Sequence, residues 1–107
     1  MRTFNLPDYK EPFTPEIGEE VTCFVPYVEE TVGFDVDERI LVKTREGLME
    51  ALVTRNTQTF QASCIPTELL EQSGCSSSEH AAEVCGATLR AIIAMVKFRI
   101  LELTAEV

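Results

Sequence analysis

The sequence predicts an α+β fold, a small antiparallel β-unit followed by a long amphipathic C-terminal helix. Three observations carry that expectation. Short β-favouring runs, broken by Pro and Gly, fill residues 18–71. Ser76-Ser77-Ser78-Glu79 then reads as a capping box: the Ser76 hydroxyl accepts from the Glu79 N–H, and the Glu79 carboxylate accepts from the Ser76 N–H. From there to Val107 no proline intervenes, and Ala81, Cys85, Leu89, Ile92, Val96, Ile100 and Leu103 gather on one face at about 100° per residue. The 107 residues fit one domain, with an arm at 1–17, the β-unit at 18–71 and the helix at 76–107.

The arm holds Pro7, Pro12 and Pro15 with Phe4, Leu6, Tyr9 and Phe13 between them. Proline at this density favours extended chain, and the aromatics pin the arm to its own body or to a neighbouring subunit. Gly18 marks a turn, and Glu20–Val25 has strand composition. Pro26 makes that strand an edge strand or ends it there. Residues 29–33 read as a loop, and 39–44 as a second strand. Arg45-Glu46-Gly47 is a tight turn, so residues 48–56 return as the partner of a hairpin. A helix competes there, because Leu48, Met49, Leu52 and Val53 recur at helical spacing; the turn glycine and the β-favouring threonines prefer the hairpin. A short polar turn near Asn56 leads to a third strand at 57–65. Pro66 opens a single helical turn, and Ser73-Gly74-Cys75-Ser76 is the clearest break in the chain.

Within the final helix Gly86 costs about 1 kcal/mol relative to alanine. The alternation of Val96-Lys97-Phe98-Arg99-Ile100 makes a strand from about residue 96 the rival reading. No Gly, Pro or Asn marks a junction, so the helix is expected to continue to about Thr104. Phe98 and Leu101 then fall outside the apolar stripe and need a second surface. Self-association through Leu89, Ile92, Val96, Phe98 and Leu101, as a homo-dimer or larger assembly, would supply one.

Residues 18–71 resemble an SH3-like small β-barrel. The features are Pro15-Glu16-Ile17-Gly18-Glu19-Glu20-Val21 before the first strand, the hairpin turn Arg45-Glu46-Gly47, and the Pro-led turn Ile65-Pro66-Thr67-Glu68-Leu69-Leu70 after the third strand. The resemblance covers about half the chain and implies a fold only. Without Trp, it carries over no peptide-binding residue.

The net charge of −9 is concentrated. Ten acidic residues and one basic residue, Lys10, lie between Asp8 and Glu38. A surface of that sign opposes phosphate contacts and suits a basic protein partner. Glu19, Glu20, Glu29, Glu30, Asp35, Asp37 and Glu38 are the expected docking residues. Arg39, Lys43, Arg45 and Arg55 cluster on the hairpin and offer a positive counterpart, without interleaved aromatics for nucleic acid. The longest apolar run, Ala91–Val96, is far short of a membrane span, and the N-terminus shows no apolar signal region. A cytoplasmic address follows as the expectation, with no membrane partner.

Cys64, Cys75, His80 and Cys85 supply zinc-ligand types, but no CxxC pair occurs. In a helix His80 and Cys85 point about 140° apart. A Cys75–His80 dyad would sit on a serine-rich helix entry, poorly placed to hold a reactive geometry. Gly74–Ser78 lacks the phosphate-loop pattern and any adjacent cation. Neither metal nor cofactor nor catalytic residue is therefore expected. The sequence reads as a non-enzymatic interaction protein with an acidic docking face; a small-ligand or nucleic-acid-binding barrel using the basic hairpin is the alternative.

Overall fold

The C-terminal stretch is a strand, and it lies in the interior of a sheet. In the computed structural model, which describes residues 2–10, 16–45 and 47–103, five strands occur: β1 Arg2–Asn5, β2 Glu20–Pro26, β3 Arg39–Lys43, β4 Leu48–Gln61 and β5 Ile92–Leu103. Three short helices connect them: α1 Glu29–Val32, α2 Thr67–Ser73 and α3 Ser78–Val84. The sheet order is β1-β3-β4-β5-β2. β1 runs parallel to β3, and every other pair is antiparallel.

This corrects the expected β-unit followed by a long C-terminal helix. The helix stops at Val84 because Gly86 takes a left-handed φ of 63°. Its N–H donates to the Glu83 carbonyl and the Ala87 N–H to the Ala82 carbonyl, each at 2.9 Å, which is a Schellman stop. Gly86 is thus the terminator of a two-turn helix, not a defect inside a long one. The cap also sits one residue later than expected. The His80 N–H donates to Ser77 Oγ at 3.1 Å, and the Ser76 N–H donates to His80 Nδ1 at 3.1 Å. His80 fills the position assigned to Glu79.

Once the helix ends, β-branched and aromatic residues with period-two alternation decide the rest. β5 pairs on one edge with β2, from Glu20↔Arg99 to Pro26↔Ile93, and on the other with β4, from Met49↔Leu103 to Gln61↔Ile92. Strand character begins at Ile92, earlier than the rival boundary near residue 96.

The even-numbered β5 residues Ala94, Val96, Phe98 and Ile100 face one core, with Val21, Cys23 and Val25 of β2, Ile40 and Val42 of β3, and Met49, Ala51 and Val53 of β4. Phe4 of β1 joins them, its ring 5.9 Å from that of Phe98. In a flat sheet β1 and β5 would be about 14 Å apart, three strand spacings. The sheet therefore curls until its outer strands share one core. Register shifts in β4 at Glu50/Ala51, Val53/Arg55 and Arg55/Gln58 supply the bend. They also explain why Asn56 marks no turn: the two strands expected at 48–56 and 57–65 are one bulged strand. Val32 and Phe34, from the β2–β3 connection, close over this concave face.

The opposite face carries Ile93 and Met95 of β5 and Phe24 of β2. There Leu69 and Leu70 of α2, Ala81 and Ala82 of α3, and Cys75 and Cys85 form a second core. The arm begins as β1, with Phe4 and Leu6 buried, and continues through a 3-10 turn at Asp8–Lys10. Its Pro12, Phe13 and Pro15, like turn residue Glu46 and the helix end expected near Thr104, fall outside the described residues.

Because Phe98 touches Phe4 inside the first core, Phe98→Ala should cost about 3–5 kcal/mol in urea unfolding. Ile92→Ala, at a residue 52% exposed, should cost less than about 1 kcal/mol. Similar losses at the two positions would contradict the burial of Phe98 and the exposure of Ile92 at the start of β5.

Candidate functional site

Seven acidic residues were expected to form one docking face, and the structure divides them by what each already holds. Glu38 is committed. Its Oε2 accepts from Arg2 Nε at 2.8 Å and its Oε1 from Arg2 Nη2 at 2.6 Å, a bidentate pair. The same Nη2 donates to the Gly33 carbonyl at 2.8 Å, and the guanidinium lies 4.6 Å from the Phe34 ring centroid. One side chain thus fastens β1 to the connection that closes the concave core. The hydrogen bond from Arg2 holds the Glu38 carboxyl below its ordinary range against a small opposing effect of burial, with help from the Asp35 N–H.

Glu20 is committed as well. Lys97, pointing to the α2 side of β5 and 8% exposed, places Nζ 2.8 Å from Gln72 Oε1 and 3.4 Å from Glu20 Oε1. Arg99 approaches Glu20 Oε2 at 3.9 Å. Burial works against the Glu20 charge. The cations Lys97 and Arg99 act the other way, and its pKa lies below the ordinary value.

Asp35, Asp37, Glu30 and Glu19 are exposed and have no ion-pair partner among the described residues. The Glu19 carboxylate accepts from the Glu16 N–H at 3.1 Å. Nothing is described for the Glu29 side chain. Asp35 and Asp37 stand on an ordered loop. The Val36 N–H donates to Asn56 Oδ1 at 2.6 Å, the Asp37 N–H to the Val53 carbonyl at 2.8 Å, and the Val53 N–H to the Glu38 carbonyl at 2.9 Å. Asp37 holds a φ of 70°, a left-handed conformation that Asp tolerates better than most residues.

The basic hairpin does not gather into a free positive patch. Arg39 lies 3.9 Å from Glu50, and Arg45 lies 3.3 Å from Asp8 on the arm. Arg55 sits between two of the register shifts, on a cleft of about 260 Å³ between β4 and α2 that Gln58 and Gln72 also line. A larger cleft, about 430 Å³, separates β1 from the end of β2 and α1; Phe4, Leu6, Val25 and Val32 give it an apolar floor.

The residues expected at a self-association seam are scattered. Val96 and Phe98 are fully buried in the chain's own first core, Leu89 and Ile92 are exposed, and Leu101 is half-buried. Among the described residues no group of three or more His, Cys, Asp and Glu side chains is arranged to hold a metal ion. Cys23, Cys75 and Cys85 are buried and Cys64 is exposed, with all four unpaired. Burial pushes the Cys23 thiol up to about 12 and the Cys85 thiol to about 11. No helix is long and apolar enough to cross a membrane among the described residues.

Two features of this surface escaped the sequence reading. Arg2-Thr3-Phe4-Asn5-Leu6 alternates as a strand does, a signal masked by the prolines that follow. The burial of Lys97 had no local signal, since its partners come from Gln72 and Glu20.

Glu38→Gln should destabilise the protein at pH 7. A carboxyl whose pKa is depressed by folding contributes stability above its unfolded value and loses it as pH falls through the folded one. The difference from wild type should therefore shrink below the ordinary carboxyl value of about 4.5, as read by denaturation at several pH values; a pH-independent difference would rule out the pairing. Ellman's reagent should label one thiol rapidly in the native protein, and Cys64→Ser should abolish that phase. Two rapid thiols would contradict the buried placement of the others.

No protein-family model, curated protein or solved structure matches this chain.

Proposed function

We propose that the chain is a non-enzymatic interaction protein that docks a basic segment of a partner protein on the acidic surface of Glu30, Asp35 and Asp37. One observation supports this above the rest. The fold uses Glu20 and Glu38 for its own ion pairs and leaves these three carboxylates exposed, on or beside a loop fixed by main-chain and Asn56 hydrogen bonds. Charges on an ordered loop bind with less loss of conformational entropy than charges on a mobile one. They also speed encounter with an oppositely charged partner. Four unpaired cysteines suit a reducing compartment such as the cytoplasm. This reading requires no second copy of the chain.

Titration calorimetry with a lysine-rich octapeptide tests the proposal. Binding should weaken steeply between 50 and 300 mM salt, values chosen to span the change in Debye length from above to below about 8 Å. The triple variant Glu30→Gln, Asp35→Asn, Asp37→Asn should lose about tenfold in affinity, roughly 0.5 kcal/mol per exposed charge. A control that neutralises Glu68, Glu71 and Glu79, on the helical side, should lose much less. Equal losses in the two triples would reduce the effect to net charge and sink the proposal.

A further inference from the structure

The two outer strands of the sheet differ in what their free edges offer. β1 pairs with β3 in parallel, at Arg2↔Ile40 through Asn5↔Lys43, and the Leu6 N–H donates to the Lys43 carbonyl at 2.9 Å. In a parallel pair alternate residues turn both main-chain groups to the same neighbour. Arg2, Phe4 and Leu6 therefore bond β3, and Thr3 and Asn5 direct their N–H and C=O groups outward. Both are exposed, and no strand pairs with that edge among the described residues. The outer edge of β2 is blocked at its Phe24–Pro26 end. The outward Phe24 N–H already donates to the Tyr9 hydroxyl at 2.7 Å, and Pro26 has no N–H.

Beside the open edge lies the 430 Å³ cleft, whose volume is in the range of ligand sites. Its floor is Phe4, Leu6, Val25 and Val32, and exposed Val28 stands on its far wall. Asp8, the carboxylate among its lining residues, stands at one end with Arg45 3.3 Å away; Glu30 belongs to the helix that supplies Val32, and Asp35 adjoins the Arg2–Glu38 pair at the start of β1.

We propose that the outer edge of β1 takes an extended basic segment of a partner protein as an added strand. Its inward side chains fill the cleft over Phe4 and Leu6, and its cationic side chains pair with the exposed carboxylates of Glu30 and Asp35. The inference rests on the acidic docking surface proposed above and states how the partner is held there. Strand addition derives affinity from main-chain bonds and selectivity from pockets for alternate side chains, and β1 with its cleft offers both. Charge decides the class of occupant. A second copy of this chain would bring another net −9 to the same edge, whereas a segment alternating apolar and basic residues is complementary on both counts.

The test uses the full chain and an acetylated, amidated octapeptide alternating Val and Lys. Three comparison peptides accompany it: one of the same composition in two blocks, one methylated on every backbone nitrogen, and one alternating Val and Glu. The alternating basic peptide should bind, and in amide hydrogen exchange it should protect Thr3 and Asn5. The block and N-methylated peptides should bind at least tenfold more weakly, and the acidic one not at all. Asn5→Pro removes an outward N–H while sparing the β1–β3 bonds, so it should give the same loss with an unchanged urea midpoint.

Equal binding of all three basic peptides, with no protection at Thr3 and Asn5, would overturn strand addition and leave charge-based docking standing. No binding of any basic peptide at low salt would overturn both. Protection of Thr3 and Asn5 that grows with protein concentration in the absence of peptide would assign the edge to a second copy and overturn the proposal.

Discussion

Everything in this molecule depends on a strand that is hydrogen-bonded along both edges and covered over much of both faces. β5 lies between β4 and β2, and from Ile93 to Phe98 every residue is buried. A strand so placed must be apolar on both sides, and Ile93, Ala94, Met95, Val96 and Phe98 meet that need with Lys97 as the exception. Lys97 is tolerated because Gln72 accepts from its ammonium and Glu20 balances its charge. The two cores are built outward from β5: the concave one reaches Phe4 on β1, and the other reaches α2 and α3. Loss of β5 would separate β2 and the helices from the β1-β3-β4 unit at once.

Why the sequence suggested a helix at 92–103 has a physical answer. From Ile92 to Val96 the run is apolar at every position, without the polar–apolar alternation that identifies a strand, and it fits a helical stripe equally well; the alternation begins only at Val96. Ala81, Cys85, Leu89, Ile92 and Val96 do recur at helical spacing, but only Ala81 lies on a helix, with Cys85 as its C-cap. The distinguishing signal was Gly86, which stands where a Schellman stop requires left-handed backbone. In sequence it passes for a tolerated flaw, because a long apolar face can absorb a cost of about 1 kcal/mol. The N-terminal half was more legible. Gly18, Pro26 and Gly47 bound β2 and the β3–β4 hairpin where turn chemistry says they should. The strand break expected at Asn56 failed because a β-bulge and a turn use similar polar residues, and only the partner strand tells them apart.

The same distinction runs through the charged surface. Composition located the acidic segment, but it does not reveal which carboxylates the fold consumes. Glu20 and Glu38 look like Glu19 and Asp37 in sequence, and their roles diverge because Lys97 and Arg2 arrive from residues far along the chain. Arg2 in particular joins the first strand to the β2–β3 connection through Glu38, Gly33 and Phe34. With the loop fastened in that way, its remaining carboxylates keep a defined position. The charge that binds the fold together is thus also what sets the rest of the acidic surface in place.

Curling the sheet brings a further consequence at its margins. Sharing one core between β1 and β2 leaves two edges near each other with a cleft between them, and unpaired edges invite association. The chain blocks the end of one of them beside the cleft with local chemistry, a tyrosine hydroxyl on the Phe24 N–H and a proline two residues later. Had both edges simply been by-products of folding, the same protection would be expected at β1, where Thr3 and Asn5 instead present their main-chain groups beside an apolar floor. The prolines that obscured this strand in the sequence begin only at Pro7, beyond the part of the edge that faces outward. An arm that enters the sheet as its last strand, is fastened by Arg2 and is bordered by carboxylates combines order with an open hydrogen-bonding edge. That combination favours a selective contact over indiscriminate aggregation, because an added strand must satisfy main chain, cleft and charge together.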